Sequence, residues 1–194
     1  MKKLEYYLFK INSDKKVCCI EDIERNIPDA FYLQKGISLK DIYPTEVTLN
    51  IFPESGDILT DFINNISRCL LISLELKEIL VNEGLDIKKV EYLPFQLKDK
   101  KQRLLTKEFY IANVLIKINC LDKKQSQCSI FKKTGNILNL ETAVLNEDNI
   151  PQDEKLFRIG EYPSRIVIRS DLFDLLQQKG FTGLTIIKQG ESFI

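Results

Sequence analysis

Hydrophobic positions along this chain fall mostly in short runs, and most of the runs have strand character. Leu4 to Ile11 is rich in Tyr and Phe and reads as a strand. Val47, Leu49 and Ile51 alternate with polar residues and predict a second. Val90 to Leu97 is strand-like, with Pro94 marking an edge or a bulge because proline cannot donate to a ladder. The charged stretch Lys98 to Lys107 joins it, as a long hairpin, to the apolar, β-rich segment Glu108 to Asn119. Ser129 to Lys132 and Asn136 to Leu140 flank Thr134-Gly135, a second hairpin signal. Leu156 to Ile159, Arg165 to Ile168 and Leu184 to Ile187 complete the strands.

Helical spacing is rarer. Asp57 looks like an N-cap, followed by Ile58, Leu59, Phe62, Ile63 and Ile66, and predicts a short helix. Two further units share one order of strand, serine, helix and glycine. In the first, Cys69-Leu70-Leu71-Ile72 precedes the N-cap candidate Ser73, the face Leu74, Leu76, Ile79, Leu80 and the C-cap candidate Gly84. In the second, Ile166-Val167-Ile168 precedes Ser170, then Leu172, Phe173, Leu175, Leu176 and the terminator Gly180. Asp171 in the first turn suits the helix dipole. Leu76, Ile79, Leu80, Leu172, Leu175 and Leu176 are the expected buried positions. Strands outnumber helices and mostly follow one another through short turns. The expected fold is therefore α+β, a largely antiparallel sheet with a few packed helices. No linker or composition break divides the chain, so residues 1–194 are read as one domain.

Composition narrows the function classes. At 194 residues with 44% hydrophobic content, the chain is long enough to bury a core without disulfides or metal. Lys+Arg and Asp+Glu both number 28, and this zero net charge argues against a general nucleic-acid binder. No apolar run approaches the roughly 20 residues of a membrane span. The basic start resembles a signal peptide, but Glu5 and Lys10 break its apolar stretch, so the expected compartment is the cytoplasm.

Candidate chemistry is sparse. Histidine is absent, which removes the commonest general base and metal ligand. The five cysteines, Cys18, Cys19, Cys69, Cys120 and Cys128, form no Cys-x-x-Cys pair and are expected to be free and metal-free. Neither common phosphate-cradling glycine motif is present, and no cofactor is expected. An enzyme without histidine would have to use carboxylates or a thiolate. Asp171 with Asp174, Glu75 with Glu78, and Cys18-Cys19 beside Lys15 and Lys16 are the candidates. Solvated helix faces and an ordinary strand with two small apolar residues are the favoured accounts of them. Tyr6, Tyr7, Phe9, Phe109 and Tyr110 have the stacking surface for bases but lie outside any dense basic stripe, so core packing is the expectation.

Two charge runs remain. Lys98 to Lys107 carries five cations against Asp99 alone and reads as a hairpin tip. Glu141 to Glu154 holds Glu141, Glu147, Asp148, Asp153 and Glu154 with no Lys or Arg. It lacks apolar periodicity and reads as a loop, where side chains are available for a partner. Glu147, Asp148, Asp153 and Glu154 are the candidate partner-binding residues.

The order of several pieces carries a family resemblance. Phe109-Tyr110-Ile111-Ala112-Asn113 is followed by Cys120-Leu121-Asp122 and Ser126. Leu156-Phe157-Arg158, Ile166-Val167-Ile168, Ser170 and Gly180-Phe181-Thr182-Gly183-Leu184 come later. Together they resemble a bacterial polymorphic-toxin immunity protein family, a former family of unknown function named after a myxobacterial immunity protein. The likeness covers about the last two thirds of the chain. It implies a small cytoplasmic protein that binds and neutralises a cognate toxin, with no catalytic residue, no membrane and no direct nucleic-acid contact. Asp122 and Ser126 match the family pattern, and a turn role fits them as well as binding does. A small histidine-free enzyme and a structural interaction module are the alternatives. The toxin's identity and the oligomeric state stay open.

Overall fold

A computed structural model describes residues 4–193. The first strands and helices are β1 (Tyr6–Ile11), β2 (Cys19–Ile20), α1 (Ile23–Asn26), α2 (Phe31–Lys35), β3 (Thr48–Asn50), β4 (Phe62–Asn65) and β5 (Leu71–Ser73). Then come α3 (Leu74–Asn82), β6 (Val90–Lys98), β7 (Phe109–Val114), β8 (Lys117–Ile118), β9 (Gln127–Ile130) and β10 (Ile137–Thr142). A single 3-10 turn, Glu147–Asn149, leads to β11 (Leu156–Ile159), β12 (Ile166–Arg169), α4 (Ser170–Gln178) and β13 (Leu184–Ile187).

Six strands in the order β2-β4-β5-β7-β6-β3 form a curved sheet. A bridge between Ile20 and Ile51 joins its two ends, so the sheet is nearly a closed barrel. Leu49, Ile63, Leu71, Phe95 and Phe109 point inside, where α1 and α2 supply Ile23 and Leu33. A second sheet runs β13-β1-β12-β11-β8, and β9 with β10 makes a separate hairpin. Between the two large sheets lies a second core that includes Phe62, Ile72, Ala112 and Ile168, with α3 and α4 packed into it. The far face of the second sheet carries a third core with Leu8, Phe157, Leu140 and Leu145.

This layering explains the apolar runs. Along β1, Tyr6 and Leu8 face the third core while Tyr7, Phe9 and Ile11 face the second. A strand covered on both faces has no polar side, so alternation disappears from its sequence. The same holds for β7, where Phe109 and Ile111 face one core and Tyr110, Ala112 and Val114 the other.

The fold is α+β and mostly strand, as read from the sequence, but its sheets are mixed. β2 beside β4, β3 beside β6 and β8 beside β11 run parallel. These partners are two- or three-residue strands. They are reached through irregular connections rather than tight turns, which removes the constraint that makes hairpin neighbours antiparallel. Pro94 sits in β6 opposite Tyr110, before the pairing with β3 begins at Gln96, and its carbonyl accepts the Tyr43 hydroxyl at 2.8 Å.

The helix expected after Asp57 is instead strand β4. Its helical spacing is a coincidence of two β faces, because Phe62 and the adjacent Ile63 enter different cores. Ile58 and Ile66, which a helix would have buried beside them, are 54% and 63% exposed. The two serine units do form. Ser73 caps α3, its Oγ accepting from Leu76 N at 3.4 Å. Ser170 does not cap α4: it is the first helical residue, and its Oγ accepts instead from Glu5 N at 3.1 Å, tying the helix to the start of β1. Both helices close with one geometry. Gly84 N bonds Val81 O and Leu85 N bonds Leu80 O, and Gly180 N bonds Gln177 O and Phe181 N bonds Leu176 O. Each glycine has positive φ, the Schellman ending that a Cβ disfavours. Leu76, Leu80, Leu172 and Leu176 are buried as expected, but Ile79 and Leu175 are only half-buried, and Phe173 fills the core beside Tyr7 instead.

Candidate functional site

The acidic stretch is not a free loop. Ala143, Leu145 and Ile150 anchor it in the third core. Glu147 opens the 3-10 turn and accepts from Gln189 Nε2 at 3.0 Å. Asp148 is exposed. Asp153 is exposed, with Lys89 Nζ 3.9 Å away. Glu154 corrects the expectation: it is buried, and Lys89 Nζ donates to its Oε1 at 2.9 Å. Its position between the buried Ile150 and Leu156 turns the side chain inward, toward the base of β6. Of the four candidates, Asp148 and Asp153 therefore present outward carboxylates, with Asp153 at the edge of the Lys89 pair, Glu147 is partly engaged, and Glu154 is turned inward.

The basic hairpin tip is organised by its single acid. Asp99 accepts the backbone N–H groups of Lys101 and Arg103 and pairs with the Arg103 side chain. Lys100 reaches back to Asp57 at 2.7 Å.

The candidate chemical groups lie apart, some buried and some exposed. All five thiols are free of disulfides. Burial pushes Cys18 and Cys19 above the ordinary thiol range, and Cys69 and Cys120 up to about 12. A thiolate nucleophile needs the opposite shift. Glu75 and Glu78 are exposed on α3, while Asp171 takes two hydrogen bonds of 2.8 Å from Arg169. Tyr6, Tyr7 and Phe9 pack edge-on against Phe157, Phe173 and Phe62, while Phe109 stacks on Phe95.

Sequence reasoning missed a cleft where the two large sheets meet. It has a volume of about 310 Å³. Lys10 at the end of β1, Arg68 in the β4–β5 turn and Arg165 before β12 line it, over an apolar floor that includes Phe9, Ile166 and Phe193. Arg68 adopts φ 54, a left-handed conformation that costs a non-glycine residue roughly 1–2 kcal/mol. The turn that imposes it is built on Asn65, which accepts from Cys69 N at 2.9 Å and donates to Cys69 O at 2.8 Å. Arg165 lies over the Phe193 ring, 3.9 Å from its centroid, and its buried Nε has no hydrogen-bond partner. Scattered over three distant segments, these cations leave no local pattern in the sequence.

A model of the immunity protein family Imm11 matches residues 5–191. The chain belongs to that family. A comparison with curated proteins finds no match. The match spans nearly the whole chain, including the first 50 residues, where the sequence resemblance was loose. In this immunity-family chain Asp122 and Ser126 build a turn. Asp122 accepts from Lys124 N and Gln125 N and bonds the Gln125 amide, which together hold its carboxyl below the usual carboxylate range. Ser126 Oγ accepts from Val144 N at 2.9 Å, fixing the start of the acidic stretch just after β10. No helix among the described residues of this family member is long and apolar enough to cross a membrane.

Proposed function

We propose that this immunity-family chain binds a cognate bacterial toxin domain in the cytoplasm and neutralises it by covering its working surface, without chemistry of its own. The family match across residues 5–191 is the observation that carries the reading. The placement of the charged groups supports it. The buried Arg158, Arg169 and Glu154 hold backbone carbonyls or other side chains. Asp148 and Asp153 stand outward on an anchored segment, where binding costs little ordering entropy. A toxin that cleaves nucleic acid has a basic working surface, and outward carboxylates speed association with such a surface.

The test is coexpression with a candidate toxin domain from a neighbouring gene. Cells carrying both should grow where cells carrying the toxin alone arrest, and continued arrest with soluble, folded chain present would contradict the proposal. In the purified pair, Asp148→Ser with Asp153→Ser should slow association several-fold and flatten its salt dependence. An unchanged rate would remove this segment from the interface.

A further inference from the structure

The cleft between the two sheets has the composition of a binding site rather than of a packing defect. Its charged lining is of one sign. Among the described residues, none of Lys10, Arg68 and Arg165 has an ion pair, and the Arg165 guanidinium lies over the Phe193 ring. Several other buried or half-buried cations of the molecule are compensated. Arg169 has Asp171, Lys155 has Glu83, Lys89 has Glu154, and Arg158 is wrapped in carbonyls. Holding a half-buried guanidinium beside a second one without an acid costs free energy, and burial together with the Arg68 charge lowers the Arg165 pKa. The left-handed backbone at Arg68 adds to that cost. An anion between the two guanidiniums would offset both charges and give the orphan Nε an acceptor.

The floor selects among anions. Phe9, Ile166 and Phe193 give the charged rim an apolar base, and Ile66 at the mouth is 63% exposed. An inorganic phosphate has nothing to place on such a surface. A carboxylate side chain with an apolar neighbour in a protein segment matches both parts. The volume, about 310 Å³, is at the lower end of the roughly 300–1,000 Å³ of small-molecule sites and suits a side chain or two.

We propose that the Lys10–Arg68–Arg165 cleft anchors an acidic side chain of the partner toxin, with an adjacent apolar side chain seated on Phe9 and Phe193. This rests on the toxin-binding reading above and assigns it a second contact, opposite in sign to Asp148 and Asp153. A buried charged contact of this kind controls dissociation rather than encounter.

Calorimetric titration of the full chain with a candidate toxin domain from a neighbouring gene tests the proposal. Lys10 and Arg68 are exposed, so Lys10→Glu with Arg68→Glu should leave the thermal melt in place and weaken the complex at least tenfold. Arg165→Gln, checked by the same melt, should weaken it as well. A loss smaller than tenfold for the exposed pair overturns the cleft assignment while leaving toxin binding intact. Tight binding of inorganic phosphate alone would reassign the cleft to a small anion and also overturn it. A wild-type chain that fails to bind the toxin overturns the immunity reading and this contact together.

Discussion

At Arg158 a full positive charge sits inside the molecule with no carboxylate beside it. Its guanidinium donates to Val114 O, Gln34 O, Pro163 O and Leu33 O at 2.7–3.2 Å, so one side chain ties α2 and β7 to β11. Burial lowers its pKa to about 10, which leaves it charged at neutral pH. Gly36 makes room for it: φ is +58, and a Cβ there would lie 2.5 Å from Val114 O and 2.7 Å from Arg158 Cδ. Arg158→Met should leave four carbonyls without a donor and cost about 3 kcal/mol or more in urea unfolding, given roughly 1–3 kcal/mol for a buried unsatisfied group. A loss below about 1 kcal/mol would contradict this role. Asp171 gives a pH signature. The Arg169 hydrogen bonds hold its carboxyl below the ordinary range, so its stabilisation is present above the unfolded pKa near 4 and is lost as pH falls through the lowered folded value. Asp171→Asn should therefore destabilise the chain at pH 7, and the gap to wild type should close between about pH 5 and pH 2. A gap independent of pH would show that the pair contributes nothing through ionisation. The sequence showed Arg158 only as part of a family-like string, and no local pattern distinguishes a buried arginine from a solvated one.

The strand–serine–helix–glycine units were legible because their signals are local. A serine, an apolar stripe and a positive-φ glycine act within a dozen residues, and both Schellman endings formed where Gly84 and Gly180 predicted them. Segment 57–66 was misread because a tertiary fact decided it. Two cores on opposite sides of β4 claim Phe62 and Ile63, and helical spacing cannot represent a strand buried on both faces. The α4 face was shifted for the same reason, with Phe173 taking the space against Tyr7 and leaving Leu175 half-buried. Leu176→Ala should accordingly cost roughly 2–5 kcal/mol, whereas Leu175→Ala should cost about 1 kcal/mol or less. Equal losses in chemical denaturation would place both on one buried face and contradict the packing described for α4.

Across the whole molecule, the barrel-like sheet and the second sheet share one core, to which β1, α3, α4 and β12 all contribute. Arg158 adds hydrogen bonds across the same junction. The chain is therefore expected to unfold in one cooperative transition, with fluorescence and far-ultraviolet signals coincident, and two separated transitions would divide it into independent units. The partner surface was the least legible feature in the sequence. The acidic run was visible as composition, but only the fold shows that Glu154 turns inward to Lys89 while Asp148 and Asp153 face out. The cationic cleft was invisible because Lys10, Arg68 and Arg165 meet only when the sheets pack. The central claim is that this immunity-family chain disables a toxin by occupying it. Its most direct test is to titrate the purified chain into a candidate toxin domain from a neighbouring gene while following toxin activity. Activity should fall linearly to zero at a fixed molar ratio, with both proteins recovered chemically unchanged. Full toxin activity at a saturating excess of folded chain would contradict the account.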